Sequence, residues 1–192
     1  GLSPYKGGYQ WHAQPEIVIP AGSRLKEGDR ALLSYYHTMF MCYWDQVPIC
    51  LAAKDTNKWI EWCIENTQKR LQPDGYFMQH DEIRMQGWDA SCEKSGLTPG
   101  GNLARNIRFC RDTIQKHSPG AIMYVWSDMF DLYHNAPKTG TMALNRGDGA
   151  WYGSWKGLTP DVGLMNWNGR KRQSIEFFSK LGVDFWCFHD RD

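Results

Sequence analysis

The feature that most constrains the fold of this chain is an alternation of short apolar runs with segments of helical periodicity. The clearest apolar run, residues 121–126, is continuous, which is typical of a strand buried on both faces. Apolar residues at helical spacing lie before it, from residue 99, and again from residue 170. Buried strands that alternate with amphipathic helices predict parallel βα units.

Five strands and three helices are predicted in this way. The strands are expected at residues 30–36, 76–78, 121–126, 161–165 and 183–188. The helices are expected at residues 55–71, 99–117 and 170–181. Thr98 and Pro99 are a favourable helix start, since they supply a capping hydroxyl and a proline at the first position. Trp59, Ile60, Cys63, Ile64 and Thr67 are predicted to share one side of the first helix.

The predicted fold class is α/β, in the form of an incomplete TIM-barrel-like (β/α) fold. A closed eight-stranded barrel needs about 250 residues, whereas this chain has 192. We therefore expect about five of the eight βα units, with units missing at one or both ends, and an open sheet is the alternative. Residues 1–192 are predicted to form a single domain or fragment, with a β-hairpin at residues 16–36.

Charge and hydropathy exclude several classes of function. The formal net charge of +1 argues against a nucleic-acid partner bound through bulk positive charge. No run of eighteen apolar residues is present, so no membrane span is expected. The first residues, Gly-Leu-Ser-Pro, are interpreted as a cut or processed end. The oligomeric state is left open.

The six cysteines do not include a C-x-x-C pair, which argues against a structural zinc site, and no metal is expected. Cys63, Cys110 and Cys187 lie in apolar patterns and are predicted to be buried free thiols. Cys42 and Cys50 flank a turn and could form a disulfide. The cysteines therefore leave the compartment open, and an extracellular or periplasmic location is favoured over a cytoplasmic one.

Aromatic residues are frequent, with ten Trp and an aromatic fraction of 14%. Aromatic rings cover the apolar face of a pyranose while polar neighbours bind its hydroxyls, so this composition favours a sugar-binding cleft. Packing in the core is the alternative for any single Trp. The candidates for walls that stack on the sugar are the four tryptophans predicted at or after strand ends, Trp126, Trp151, Trp155 and Trp167, of which at least one is expected to be structural.

Polar residues follow each predicted strand, where parallel βα folds collect their functional groups. These segments are residues 37–38, 79–84, 126–131, 166–168 and 189–192. Asp81 and Glu82 are the strongest candidates for catalysis, because glycoside hydrolysis needs a proton donor and a second group that stabilises positive charge. The alternative is a loop that carries two acids. The predicted substrate-binding residues are His80, Arg84, Trp126, Asp128, Asn166, Trp167 and His189.

Two further interpretations concern charges near these segments. Arg84 could pair with a carboxylate and hold it ionised. Asp128, Asp131 and His134 have a spacing compatible with metal ligands, although the sequence fixes no geometry for them.

Residues 75–82, followed by residues 124–129, resemble the family 20 glycoside hydrolases, the β-N-acetylhexosaminidases. The resemblance implies a βα barrel in which Glu82 is the general acid. It implies that Asp81 orients the acetamido group of the substrate, which acts as the nucleophile. It also implies that Trp126 and Trp167 line the sugar pocket.

Residues 176–183, followed by residues 187–192, resemble the xylose isomerases, and residues 34–39 resemble another strand end of that family. This resemblance implies that His189 lies over the open sugar with Asp192 behind it. It implies Mg²⁺ or Mn²⁺ as cofactor, whereas the hydrolase needs none. The leading prediction is a glycosidase acting on a carbohydrate. The alternatives are a metal-dependent aldose–ketose isomerase and a non-catalytic carbohydrate-binding barrel.

Overall fold

The computed structural model describes residues 18–32, 49–140, 145–183 and 186–188. The chain divides into two compact units, of which one is Tyr5–Val47 and the other consists of Gly1–Pro4 and Pro48–Asp192. In the smaller unit, residues 18–32 are largely exposed and form two turns, closed by bonds from Ser23 N to Pro20 O and from Asp29 N to Lys26 O, each 3.0 Å long. Most of the predicted hairpin lies outside the described residues and stays a prediction.

The described part of the larger unit is a mixed α/β structure. Its helices are α1 (Lys54–Leu71), α2 (Ala90–Ser95), α3 (Pro99–His117) and α4 (Lys171–Lys180). Its strands are β1 (Gly75–Phe77), β2 (Ile122–Trp126), β3 (Val162–Asn166) and β4 (Trp186–Phe188). Short 3-10 helices follow at Asp128–Phe130 and Ser154–Gly157. Among the residues described, no helix is both long and apolar enough to cross a membrane.

The four strands form one parallel sheet in the order β1-β2-β3-β4. Phe77 pairs with Tyr124, Tyr124 with Gly163, and Met165 with Cys187. Each strand therefore lies beside the next strand along the chain, and all strands end at the same edge. The prediction of an α/β fold with parallel βα units is confirmed, whereas the incomplete barrel stays a prediction.

Helix α3 forms where its start signals predicted. The Thr98 hydroxyl accepts the backbone N–H of Gly101 at 3.1 Å, and Pro99 occupies the first turn. Leu103 and Ile107 are fully buried and share one core with Met123 of β2 and Leu164 of β3. Burial of each such side chain contributes about 1.5–3 kcal/mol, so this packing fixes the helix on the sheet.

Glycine allows the segment after β2 to pack closely against α3. A Cβ atom at Gly100 would lie 2.7 Å from the carbonyl oxygen of Trp151, so only glycine fits between the two backbones. Trp151 itself is 1% exposed and belongs to the core. It cannot stack on a sugar, and its predicted place in a binding wall is wrong because close packing against α3 buries the ring.

One side of α1 is formed as predicted, since one cavity is bordered by Trp59, Ile60, Cys63, Ile64 and Thr67. On that side Ile60 and Ile64 are buried, whereas Trp59 is 57% exposed. One prediction for the cysteines needs correction. Cys110 is buried and free, as predicted, but Cys63 is free and only half-buried. The side chains of Cys42 and Cys187 lie outside the described residues.

Candidate active site at the strand ends

The loops after β1, β2 and β3 meet at the edge where the strands end. The backbone N–H of Glu82 donates to Asp128 Oδ2 at 3.0 Å, which joins the first two loops. The Ser127 hydroxyl donates to Asn166 Oδ1 at 3.2 Å, which joins the second to the third. We call Asp81, Glu82, Asp128, Asn166 and Trp167 the strand-end cluster. The order and direction of the strands bring it together.

The backbone after β1 follows an uncommon path. Gln79 and His80 both have φ of 58°, and Glu82 has φ of 39°, so three non-glycine residues out of four are left-handed. Such conformations cost about 1 kcal/mol or more per residue and persist only where surrounding contacts enforce them. The carbonyl of Gln79 accepts the N–H of Trp126 at 2.8 Å, which is one such contact. The path turns Asp81 and Glu82 towards the ends of β2 and β3.

Asp128 is the most buried acid of the strand-end cluster, with none of its surface exposed. Its Oδ2 atom accepts the Glu82 N–H and the Asn135 side-chain amide, the latter at 2.8 Å. Its Oδ1 atom accepts no hydrogen bond from a donor of the described residues. Burial raises the pKa of this carboxyl to about 7, and the nearby charge of Asp81 acts in the same direction.

Asp81 interacts with both neighbouring loops. Its carboxyl lies beside the side chains of Asp128 and Trp167. Although the residue as a whole is exposed, burial of its carboxyl raises its pKa, and the charge of Glu82 raises it further. The charge of Asp81 in turn raises the pKa of Asp128.

Glu82 has different surroundings. The guanidinium of Arg84 donates to Glu82 Oε2, and both side chains are partly exposed, at 21% for Arg84 and 34% for Glu82. An adjacent guanidinium stabilises the ionised carboxylate. Arg84 therefore forms the carboxylate pair that the sequence predicted.

Aromatic rings line the same edge. Trp167 is half-buried and meets His134 edge to face, with ring centroids 4.4 Å apart. Burial lowers the pKa of His134, so its imidazole is biased towards the neutral form. Trp126 packs edge to face on Phe77 at 5.1 Å. Trp155 instead packs against Tyr152 and Phe177, at 4.8 and 5.3 Å.

Other polar side chains hold the loops in place. Nε2 of His80 lies 2.9 Å from Asn106 Oδ1 of α3, and burial lowers the pKa of this histidine. Asp131 is fully buried and accepts bonds from the Ser174 hydroxyl and the Asn168 amide. Asn168 also donates to Ser174 at 2.9 Å. These contacts anchor the loop after β2 to α4.

The structure brings most predicted site residues together. Asp81, Glu82, Asp128, Asn166 and Trp167 form one cluster, Arg84 contacts Glu82, and Trp126 ends β2. His80 faces α3, and His189 lies outside the described residues. Sequence reasoning missed Asn135 and Ser174, which bond the buried acids, and included Asn168 only as part of the strand-end segment 166–168. No local signal identifies Asn135 and Ser174, because their contacts depend on the tertiary fold.

Asp128, Asp131 and His134 do not gather into a metal-binding group in the described part of the chain. Among the described residues, the side chains that lie close enough together to ligate one ion are those of Cys50, Asp89 and Cys92. The strand-end carboxylates instead bond backbone and amide donors.

No protein-family model matches the chain. A segment of 41 residues, 21% of this chain, is 49% identical to xylose isomerase of Arabidopsis thaliana and covers 8% of that protein. This is in keeping with the resemblance to xylose isomerases noted in the sequence. No comparison supports the resemblance to the family 20 glycoside hydrolases.

Proposed function

We propose that this chain carries the catalytic edge of a carbohydrate-processing enzyme, a glycoside hydrolase in which Asp81 and Glu82 act as a pair. One observation carries the proposal. Two neighbouring carboxyl groups have different surroundings, since burial raises the pKa of Asp81 while Glu82 is paired with Arg84. Paired carboxyls separated in this way are what glycoside hydrolysis needs.

These contacts favour a definite assignment of roles. Asp81 holds the proton and donates it to the glycosidic oxygen, which keeps the electron pair of the breaking bond to the anomeric carbon. Glu82, paired with Arg84, stabilises the positive charge that develops on the sugar, and water then adds to the anomeric carbon and returns a proton to Asp81. This is the reverse of the assignment implied by the family 20 resemblance, in which Glu82 is the acid.

Asp128 supports the acid without touching the substrate. It has no exposed surface, so its role is to position the loop through the Glu82 N–H. Trp167 lies beside the Asp81 carboxyl and presents a half-buried ring there. A ring in that place suits the apolar face of a pyranose.

The test compares hydrolysis of two aryl glycosides that differ in leaving group. Asp81→Asn should lower kcat about 100–10,000-fold for a poor leaving group, which needs the proton, and much less for a good one. Glu82→Gln should slow both substrates similarly. Glu65→Gln, which breaks an exposed ion pair with Lys69 on α1, is the matched control and should leave both rates unchanged.

Unchanged turnover of the poor leaving group by Asp81→Asn would refute the assignment of the acid. Sugar binding measured by calorimetry without any turnover in the unaltered protein would instead favour the binding barrel over the enzyme.

An aldose–ketose isomerase is the second candidate, and the 41-residue similarity to xylose isomerase favours it. The resemblance to the xylose isomerases implies that such an isomerase uses Mg²⁺ or Mn²⁺. The described strand-end residues do not gather a set of oxygen ligands for such an ion, so we derive no step through a metal. Conversion of an aldose to a ketose that disappears with chelator, returns with Mg²⁺ and is lost in His189→Gln would favour this reading over hydrolysis.

A further inference from the structure

A cluster of metal-ligating side chains lies away from the strand ends. Cys50 precedes α1, and Asp89 and Cys92 lie at the start of α2. Their ligand atoms all lie within 4.8 Å of one another, and Cys92 is buried while the other two are half-buried. We call these three residues the thiol cluster. The proposed glycosidase mechanism makes no use of it.

We propose that the thiol cluster is a zinc site, with two cysteine sulfurs and one carboxylate oxygen as protein ligands. A tetrahedral zinc ion with Zn–S bonds of about 2.3 Å separates two sulfur ligands by about 3.8 Å. It separates sulfur from a carboxylate oxygen by about 3.5 Å. The observed separations are 3.6 Å between the two sulfurs and 3.2 Å from Cys92 Sγ to Asp89 Oδ2.

The two carboxylate oxygens of Asp89 have separate tasks. Oδ1 accepts the backbone N–H groups of Ser91 and Cys92, at 2.8 and 3.0 Å, and so caps α2. Oδ2 is turned to the sulfurs. A ligand whose second oxygen is fixed by the backbone is oriented before the ion arrives, as in many protein metal sites.

A further oxygen lies within reach of the sulfurs. Gln86 Oε1 lies 3.5 Å from Cys92 Sγ and is a candidate for the fourth position, which water would otherwise fill. A cavity of about 450 Å³ borders Cys92 and offers a route of entry.

The exchange of ions balances in charge. Without metal, two neutral thiols face one carboxylate, and the cluster carries a charge of about −1. Zn²⁺ replaces the two thiol protons, which leave to solvent, and the site again carries about −1. Residues 89–92 have an Asp-x-x-Cys spacing and not a C-x-x-C pair, so the usual sequence pattern of a zinc site is absent here.

The experiment measures binding of Zn²⁺, and of Co²⁺ as a spectroscopic probe, to the reduced full chain after treatment with a chelator. We expect one ion per chain and a thiolate-to-cobalt charge-transfer band. Cys50→Ser should abolish the band. Asp89→Asn should weaken binding at least about tenfold while leaving α2 capped, because asparagine is an equally good N-cap.

Cys63→Ser is the matched control, since this thiol is free and lies on α1 outside the cluster. It should bind as the unaltered chain does. Circular dichroism of each variant establishes that the fold is retained. Zn²⁺ should raise the Tm of the unaltered chain and of Cys63→Ser, but not that of Cys50→Ser.

The proposal is overturned if the folded, reduced chain takes up no ion, or if Cys50→Ser and Cys63→Ser bind equally. It is also overturned if Cys50 and Cys92 are found as a disulfide that, once reduced, leaves a cluster without affinity for Zn²⁺. Glycosidase activity is not the readout, so failure here and failure of the proposed function are separate results.

Discussion

The helix-covered face of the sheet and its strand-end edge are both buried, but they are built from opposite kinds of side chain. On the covered face, Met123, Val125 and Leu164 pack against α3 with almost no exposed surface. At the edge, Asp128 and Asp131 are equally buried. Burial of apolar groups stabilises the fold, whereas burial of carboxyl groups costs free energy. Such a cost is typical of functional sites, in keeping with the function proposed for this edge.

The largest expected effect lies on the covered face. Ile107 of α3 has no exposed surface, so Ile107→Ala should lower the free energy of unfolding by about 4–5 kcal/mol through lost contacts and a cavity. Urea denaturation measures the change. Asp112→Ala, at an exposed position of the same helix, should change it by about 0.5 kcal/mol or less. Equal losses would mean that α3 does not rest on the sheet as described.

The edge should respond to pH in a way that the covered face does not. Asp128 has a pKa of about 7 in the folded protein against 3.8 as its ordinary value. Between these values the unfolded chain releases the proton while the folded chain keeps it. The free energy of unfolding should therefore fall, by on the order of 4 kcal/mol, as pH rises from about 4 to about 7.

Asp128→Asn removes the titrating carboxyl. The difference in free energy of unfolding between the variant and the unaltered chain, measured by denaturation at each pH, therefore gives the contribution of Asp128. The variant should gain relative stability as pH rises. A difference that stays constant from pH 4 to 8 would show that Asp128 is not held protonated.

A smaller effect is expected from the polar contacts that anchor the edge to α4. Ser174→Ala removes a hydroxyl that donates to buried Asp131 and accepts from Asn168. It should destabilise the fold by about 1–3 kcal/mol, because the carboxylate loses a partner in a buried place. Ser179→Ala, exposed on the same helix, is the control. If thermal denaturation gives the same Tm for both variants, the contacts of Ser174 do not anchor the loop after β2.

The smallest effect has the opposite sign. Gln79 is exposed and left-handed, so Gln79→Gly should raise the free energy of unfolding by about 1 kcal/mol by relieving the contact of Cβ with the backbone. Gln173→Gly, at an exposed position inside α4, should lower it by about 1 kcal/mol. If both substitutions destabilise, the turn after β1 is not strained.

The covered face was predictable from sequence and most of the edge was not. Periodicity located α3, and the apolar run 121–126 located β2 to within one residue. Both predictions succeed because a buried face requires apolar residues at regular, local spacing. The six-residue helix α2 is too short for a period and was missed. The link from Glu82 to Asp128 joins residues 46 positions apart and depends on strand register. The choice of residues at strand ends rested on topology, which is why it identified the cluster but not its contacts.

The order of the strands has a consequence for how the protein is made. Each strand pairs with the one just before it in the chain, so no pairing of the described sheet has to wait for a distant segment. A ribosome releasing the chain from its amino end would deliver every strand to a partner already in place. Synthesis and sheet growth can proceed in the same direction, and the acids after β1 would meet their buried neighbour as soon as β2 and its loop emerge.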